Sequence, residues 1–189
     1  MNLRFVPNTI TLTRMALAAP LSWLIAEGNH FWALTVAVYA GLSDGLDGFL
    51  AKRYGWQTRL GGLLDPVADK LVLFAAVIGL CSHGTLPWWL GGLLVGRDLV
   101  IVAGAIAYNA LIEPLRASPT KLSKATTAAQ LVLVSMALIL ELRDAWLPSL
   151  VLTAWLWITA GLTAASGGDY VATWAAKAVR KRREKGSAP

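Results

Sequence analysis

Cysteine occurs once in the 189 residues, at Cys81, so no intramolecular disulfide can form. Histidine is nearly as scarce: His30 and His83 stand apart from one another on expected outer loops and read as non-functional. Charge is sparse too, with 15% of residues charged and eleven acidic. Together with 56% hydrophobic residues and a mean hydropathy of +0.56, this exceeds what one soluble core of this length needs. A soluble helical bundle would also require more polar helix faces than the apolar runs show. No internal repeat is visible, whereas many transporters are built from repeats. No small-residue cleavage site follows the first apolar run, so a cleavable signal peptide is not expected.

What the chain does have is six apolar runs, near 9–27, 31–50, 61–81, 88–111, 124–142 and 147–168. Each is close to the ~20 residues that cross a bilayer as a helix. The expectation is an all-α, polytopic integral membrane protein with six transmembrane helices. A membrane domain would cover 1–176, and a basic tail, 177–189, would run from a helix end into disorder. Tryptophan, including Trp88, Trp89, Trp146, Trp155 and Trp157, fits an interfacial belt or lipid-facing packing. Loops near 28–30 and 82–87 carry no Lys or Arg, and the loop near 143–146 carries Arg143 alone. The opposite side carries Arg4, Lys52, Arg53, Arg59, Arg116, Lys121, Lys124 and the tail cations from Lys177 to Lys185. The positive-inside tendency then puts both termini on the cytoplasmic side. Topology explains most of the +6 net charge, which also suits anionic lipid headgroups. Nucleic acid is not expected as a partner.

Against this background four aspartates fall within twenty-six residues: Asp44, Asp47, Asp65 and Asp69. A carboxylate beside hydrocarbon costs several kcal/mol unless compensated. Asp44 and Asp47 are i,i+3, and Asp65 and Asp69 are i,i+4, so each pair shares a helix face. A turn at Tyr54-Gly55-Trp56-Gln57-Thr58 would make the two helices antiparallel and bring the pairs level. Facing carboxylates suit one or two hard divalent cations. Gly45, Gly48, Gly61 and Gly62, near the same faces, would let a ligand or a second helix approach the backbone. Lys52, Arg53 and Arg59 flank the cluster and can neutralise a pyrophosphate. In the first span, Asn8 or Thr9 can cap the helix, and Arg14 is expected to reach the cytoplasmic interface. Arg97-Asp98 interrupts the fourth span, either as an internal ion pair or with the arginine turned to a phosphate.

The run Asp44-Gly45-Leu46-Asp47-Gly48-Phe49-Leu50-Ala51-Lys52, followed after eight residues by Gly61-Gly62-Leu63-Leu64-Asp65-Pro66-Val67-Ala68-Asp69, resembles the CDP-alcohol phosphatidyltransferase signature, D-x-x-D-G-x-x-A-R then G-x-x-x-D-x-x-x-D. Seven of its eight fixed positions match. Lys52 stands where the family has arginine, keeping the charge and losing the planar fork, with Arg53 next to share the role. Pro7-Asn8-Thr9-Ile10-Thr11-Leu12-Thr13-Arg14 is similar to a P-N-x-x-T-x-x-R stretch at the start of family members. The segments Ser43–Ala51, Arg97–Ile101, Pro119–Gln130 and Thr163–Ser166 are similar to the cardiolipin synthase branch.

The resemblance implies metal-dependent phospholipid biosynthesis. A phosphatidyl group would pass from CDP-diacylglycerol to phosphatidylglycerol, giving cardiolipin and CMP. Asp44, Asp47, Asp65 and Asp69 would hold Mg²⁺ or Mn²⁺, two ions in all, and Asp69 would be the general base. Asn8, Thr11, Gly48, Ala51, Lys52, Arg53 and Gly61 would contact the nucleotide and pyrophosphate. Arg97, Lys121 and Lys124 would meet the acceptor. Phosphatidylglycerolphosphate synthases tend to place an arginine near position 105, where this chain has Ala105, which favours a lipid diester over glycerol 3-phosphate. The resemblance also implies a homodimer in a bacterial inner membrane with its active site facing the cytoplasm. The remaining alternatives are a phosphatidylglycerolphosphate synthase and, among non-enzymes, a cation transporter.

Overall fold

The computed structural model describes residues 6–54, 59–111, 120–142 and 148–186, with side chains described for 9–46, 53–54, 64–104, 120–142, 148 and 150–173. The described residues form six helices and no strand: α1 (Val6–Ala26), α2 (His30–Tyr54), α3 (Arg59–His83), α4 (Trp88–Leu111), α5 (Lys121–Leu142) and α6 (Ser149–Gly186). The all-α expectation therefore holds. Three stretches are long and apolar enough to cross a membrane: Thr9–Ala26 in α1, Lys121–Leu142 in α5 and Leu150–Thr173 in α6.

Helix ends are set by local chemistry. Gly28, at φ 76°, closes α1: its N–H donates to the Ile25 carbonyl and the Asn29 N–H to that of Leu24, the paired bonds of a Schellman cap. Gly84, at φ 95°, closes α3 in the same way, with its N–H on Cys81 and the Thr85 N–H on Leu80. The Thr120 hydroxyl caps α5 by accepting the Ser123 N–H at 3.1 Å. Asn8 and Thr9 are not caps. Both lie inside α1, which is described from Val6 onward, and Pro7 is tolerated in a first turn, where its missing N–H needs no partner. The expected turn at Tyr54–Thr58 begins where α2 ends, and Gly55–Thr58 lie outside the described residues. α6 carries on through the expected tail to Gly186, while Ser187–Pro189 lie outside the described residues.

The chain divides into two compact units. One contains residues 1–88 and 134–148, and the other residues 89–133 and 149–189. In the first, α1 packs mainly on α3 and also on α2. The buried residues of α1 are Thr11, Arg14, Ala18, Leu21 and Ile25, spaced three and four apart along a single stripe. Its upper part is apolar, and α3 likewise buries apolar residues, among them Ala76, Val77 and Leu80. Close approach is possible because Gly79 has no side chain. A Cβ there would lie 2.8 Å from Ile25 Cβ and 2.9 Å from the Ser22 carbonyl oxygen.

The second unit joins its helices through polar contacts. Trp155 Nε1–H donates to the Ala129 carbonyl at 3.1 Å, and the Thr126 hydroxyl reaches the Leu122 and Leu162 carbonyls. Trp89 and Trp157 rest against each other with ring centroids 5.3 Å apart. Large apolar side chains such as Trp23, Leu42, Trp88, Leu150 and Trp157 are exposed, as lipid-facing residues would be.

Gly79→Ala tests the α1–α3 contact, since backbone must move to admit the methyl group. The expected cost is about 1–3 kcal/mol, seen as a lower thermal midpoint in detergent. Gly92→Ala, where a Cβ meets nothing within 4 Å, is the control and should leave the midpoint unchanged or slightly raised.

Candidate active site

The lower end of the α1 stripe is polar, and there three helices meet. Arg14, only 1% exposed, directs one nitrogen, Nη1, at two carboxylates: Asp44 Oδ1 of α2 at 2.7 Å and Asp69 Oδ1 of α3 at 2.6 Å. The two aspartates are therefore level with each other. One turn earlier on α1, the Thr11 hydroxyl donates to Asp65 Oδ1 at 2.7 Å. Asp65 and Asp69 share a face of α3, so the Thr11–Arg14 pair of α1 engages the Asp65–Asp69 pair directly. Asp44 and Asp69 remain half exposed, at 47% and 51% of their side-chain surface. Arg14 is thus buried against these carboxylates rather than exposed. An arginine in apolar surroundings is far more stable paired than alone, and the carboxylates supply the pairing.

These carboxylates can serve a hard cation. One guanidinium cannot neutralise Asp44 and Asp69 together, and Asp65 is held by a neutral hydroxyl. Excess negative charge and accessible oxygens are therefore left for an oxygen-seeking divalent ion. At Gly45 a Cβ would meet nothing within 4 Å among the described residues, which leaves room there for a ligand. The side chain of Asp47 lies outside the described residues, as do Asn8, Gly48, Ala51, Lys52, Gly61 and Gly62 at side-chain level.

The match to known families falls on this same region. Residues 4–165 match the CDP-alcohol phosphatidyltransferase family. The chain belongs to that family. It is 34% identical to a human protein named cardiolipin synthase (CMP-forming) over 181 residues, 87% of this chain and 60% of that protein. To a Drosophila melanogaster protein named probable cardiolipin synthase (CMP-forming) it is 33% identical, over 72% of this chain and 48% of that one. A rice (Oryza sativa subsp. japonica) protein named CDP-diacylglycerol--glycerol-3-phosphate 3-phosphatidyltransferase 1, chloroplastic, is 31% identical over 87% of this chain and 55% of its own length. The chain thus spans between about half and three-fifths of the length of these relatives. Its family and its long apolar helices make it an integral membrane protein.

The residues expected at the acceptor lie in the second unit. Arg97, buried on α4, pairs through Nη1 with Asp98 at 2.5 Å; its Nη2 donates to Ser123 of α5 at 2.8 Å and to Ser166 of α6. The Tyr170 ring lies 5.9 Å from the guanidinium carbon. Of the two readings open for Arg97-Asp98, the internal ion pair is the arrangement present. Lys121 and Lys124 are exposed on the first turn of α5, and Arg53 is exposed near the end of α2. Ala105 lies outside the residues with described side chains.

Sequence reasoning noticed Arg14 but gave it no part in the aspartate site. The available signal was a lone cation in the first span of a chain whose other spans carry several carboxylates. Arg14→Ala would leave Asp44 and Asp69 facing each other without that cation. We expect a loss of about 2–3 kcal/mol, below the range for a fully buried pair because both carboxylates are half exposed. Thermal unfolding in detergent should show the loss, and Asp44→Asn in the Arg14→Ala background should recover part of it.

Proposed function

We propose that this chain transfers a phosphatidyl group from CDP-diacylglycerol to phosphatidylglycerol, giving cardiolipin and CMP. The observation that carries the reaction class is the meeting of Asp44, Asp65 and Asp69 around Arg14 and Thr11, in a chain whose family transfers phosphatidyl groups. Asp44, Asp47, Asp65 and Asp69 would hold Mg²⁺ or Mn²⁺, which when bound supplies Lewis-acid polarisation of the phosphoryl oxygens and neutralises charge on the departing CMP. Asp69, half exposed and fixed on one oxygen by Arg14, is the base that removes the proton from the acceptor hydroxyl. The hydroxyl oxygen forms its bond to the phosphorus bearing diacylglycerol as the bond from that phosphorus to CMP breaks. Gly48 and Ala51 leave room for cytidine, Lys52 or Arg53 meets the phosphates, and Asn8, Thr11 and Gly61 complete the nucleotide side.

Arg97 is committed to Asp98, Ser123 and Ser166, so its role is to position α5. The exposed Lys121 and Lys124, next to Ser123 on that helix, make the first contact with the anionic acceptor. Relatives named for cardiolipin synthesis and the alanine at position 105 favour phosphatidylglycerol as acceptor. The rice relative keeps glycerol 3-phosphate as the second reading. A cation transporter loses its support, because the family is one of transferases. We further infer that all six helices cross a bacterial inner membrane, with both termini and the aspartates on the cytoplasmic side, where the basic residues concentrate. The resemblance adds a homodimer.

Two outcomes are expected of the purified protein in mixed micelles. CMP release from CDP-diacylglycerol should stop in EDTA and return with Mg²⁺ or Mn²⁺. Asp69→Asn should cut the rate by about 10²–10⁴-fold, the usual worth of a positioned acid–base group, without loss of fold; full activity in EDTA excludes the metal. With phosphatidylglycerol and glycerol 3-phosphate offered together, mass analysis should find cardiolipin as the dominant product. Dominant phosphatidylglycerolphosphate would replace the acceptor assignment and leave the reaction class standing.

A further inference from the structure

A second cluster of metal-binding side chains lies in the same unit, at the opposite end of α2 and α3 from the aspartates. His30 opens α2 fourteen residues before Asp44, and His83 closes α3 fourteen residues after Asp69. At the helical rise, each interval is about 21 Å. The third member, Glu141, sits in the last turn of α5.

These side chains converge without bonding to each other. Glu141 Oε2 lies 3.8 Å from Nε2 of His30 and 3.8 Å from Nε2 of His83, both beyond hydrogen-bond reach. One donor atom from each residue falls within a common 4.8 Å, the one such set of three among the described residues. The imidazole rings meet edge to face, with centroids 4.6 Å apart and planes at 76°, so they do not stack. The other carboxylate oxygen, Oε1, accepts a bond from the Thr85 hydroxyl at 2.5 Å, which fixes Glu141 with Oε2 toward the histidines. Such an outer hydrogen bond is how metal-binding carboxylates are oriented.

The surroundings agree. His30 is 11% exposed, and its Nδ1 is buried without a hydrogen-bond partner. The Schellman turn at Gly28 presents bare backbone to both rings: a Cβ there would be 3.5 Å from His83 Cε1 and 3.8 Å from His30 Nε2. Around a tetrahedral ion bound at about 2.0–2.1 Å, ligand atoms stand about 3.4 Å apart. Contraction by a few tenths of an ångström on the two measured edges reaches that spacing. Two imidazoles and one carboxylate suit zinc and its neighbours, whereas an all-carboxylate set suits magnesium.

We propose that His30, His83 and Glu141 form a zinc-class metal site that fastens the turns after α1 and α3 to the end of α5. It is chemically distinct from the aspartate cluster and does not depend on the reaction proposed above.

The test uses the full chain purified without a histidine tag, stripped with EDTA and kept in excess Mg²⁺ so that the aspartates are saturated. Co²⁺ should bind at one equivalent with visible d–d absorption, Zn²⁺ should abolish the absorption, and Zn²⁺ should raise the thermal midpoint. His30→Ala and His83→Ala should each remove the bands, Thr85→Ala should weaken binding about tenfold or more, and Asp65→Asn should leave it unchanged. Protection of the wild-type histidines from diethylpyrocarbonate by Zn²⁺ provides a readout that needs no variant. No bands and no protection in the wild type would overturn the site, as would bands that survive both histidine substitutions or vanish with Asp65→Asn.

Discussion

The site depends on one guanidinium. Asp44 and Asp69 belong to different helices, and their approach is a like-charge contact that only a shared cation makes favourable. Arg14 provides it from a third helix, through one nitrogen 2.7 Å from the first carboxylate and 2.6 Å from the second. Three helices thereby acquire a common level along their axes. The hydrophobic effect does not set this between helices in lipid, where van der Waals packing and interhelical polar contacts do.

The same stripe of α1 carries out two tasks with different chemistry. Ala18, Leu21 and Ile25 seal the α1–α3 contact, where the bare backbone at Gly79 brings the helices close. Thr11 and Arg14 continue the stripe and dress the carboxylates. Packing at one end thus fixes the height of the polar pair at the other. In the second unit the logic is similar: one buried arginine gathers Asp98, Ser123 and Ser166 from three helices.

The parts of this arrangement that are local in sequence were legible there. Helices follow from apolar runs, and the aspartate pairs from spacings of three and four on a helix. What could not be read was which helices are neighbours. Arg14 lies thirty and fifty-five residues from its two carboxylates, and nothing in the spacing ties them together. The histidines look solitary for the same reason: His30, His83 and Glu141 come from three separate helix ends, and isolation along the chain says nothing of isolation in space. Local chemistry also misled once. Asn8 and Thr9 are good caps by type, but the proline before them already suits a first turn.

α6 is 38 residues long, about 57 Å along its axis, against about 30 Å for the hydrocarbon of a bilayer. Its basic end is continuous with the span, so those charges ride on a rod. A flexible tail could fold back onto the headgroups and sample their field freely. A helical backbone fixes the height of each attachment point by its tilt, and surface attraction fades within a Debye length of about 8 Å. Tilt, rather than sequence, then decides how many of these cations feel the membrane.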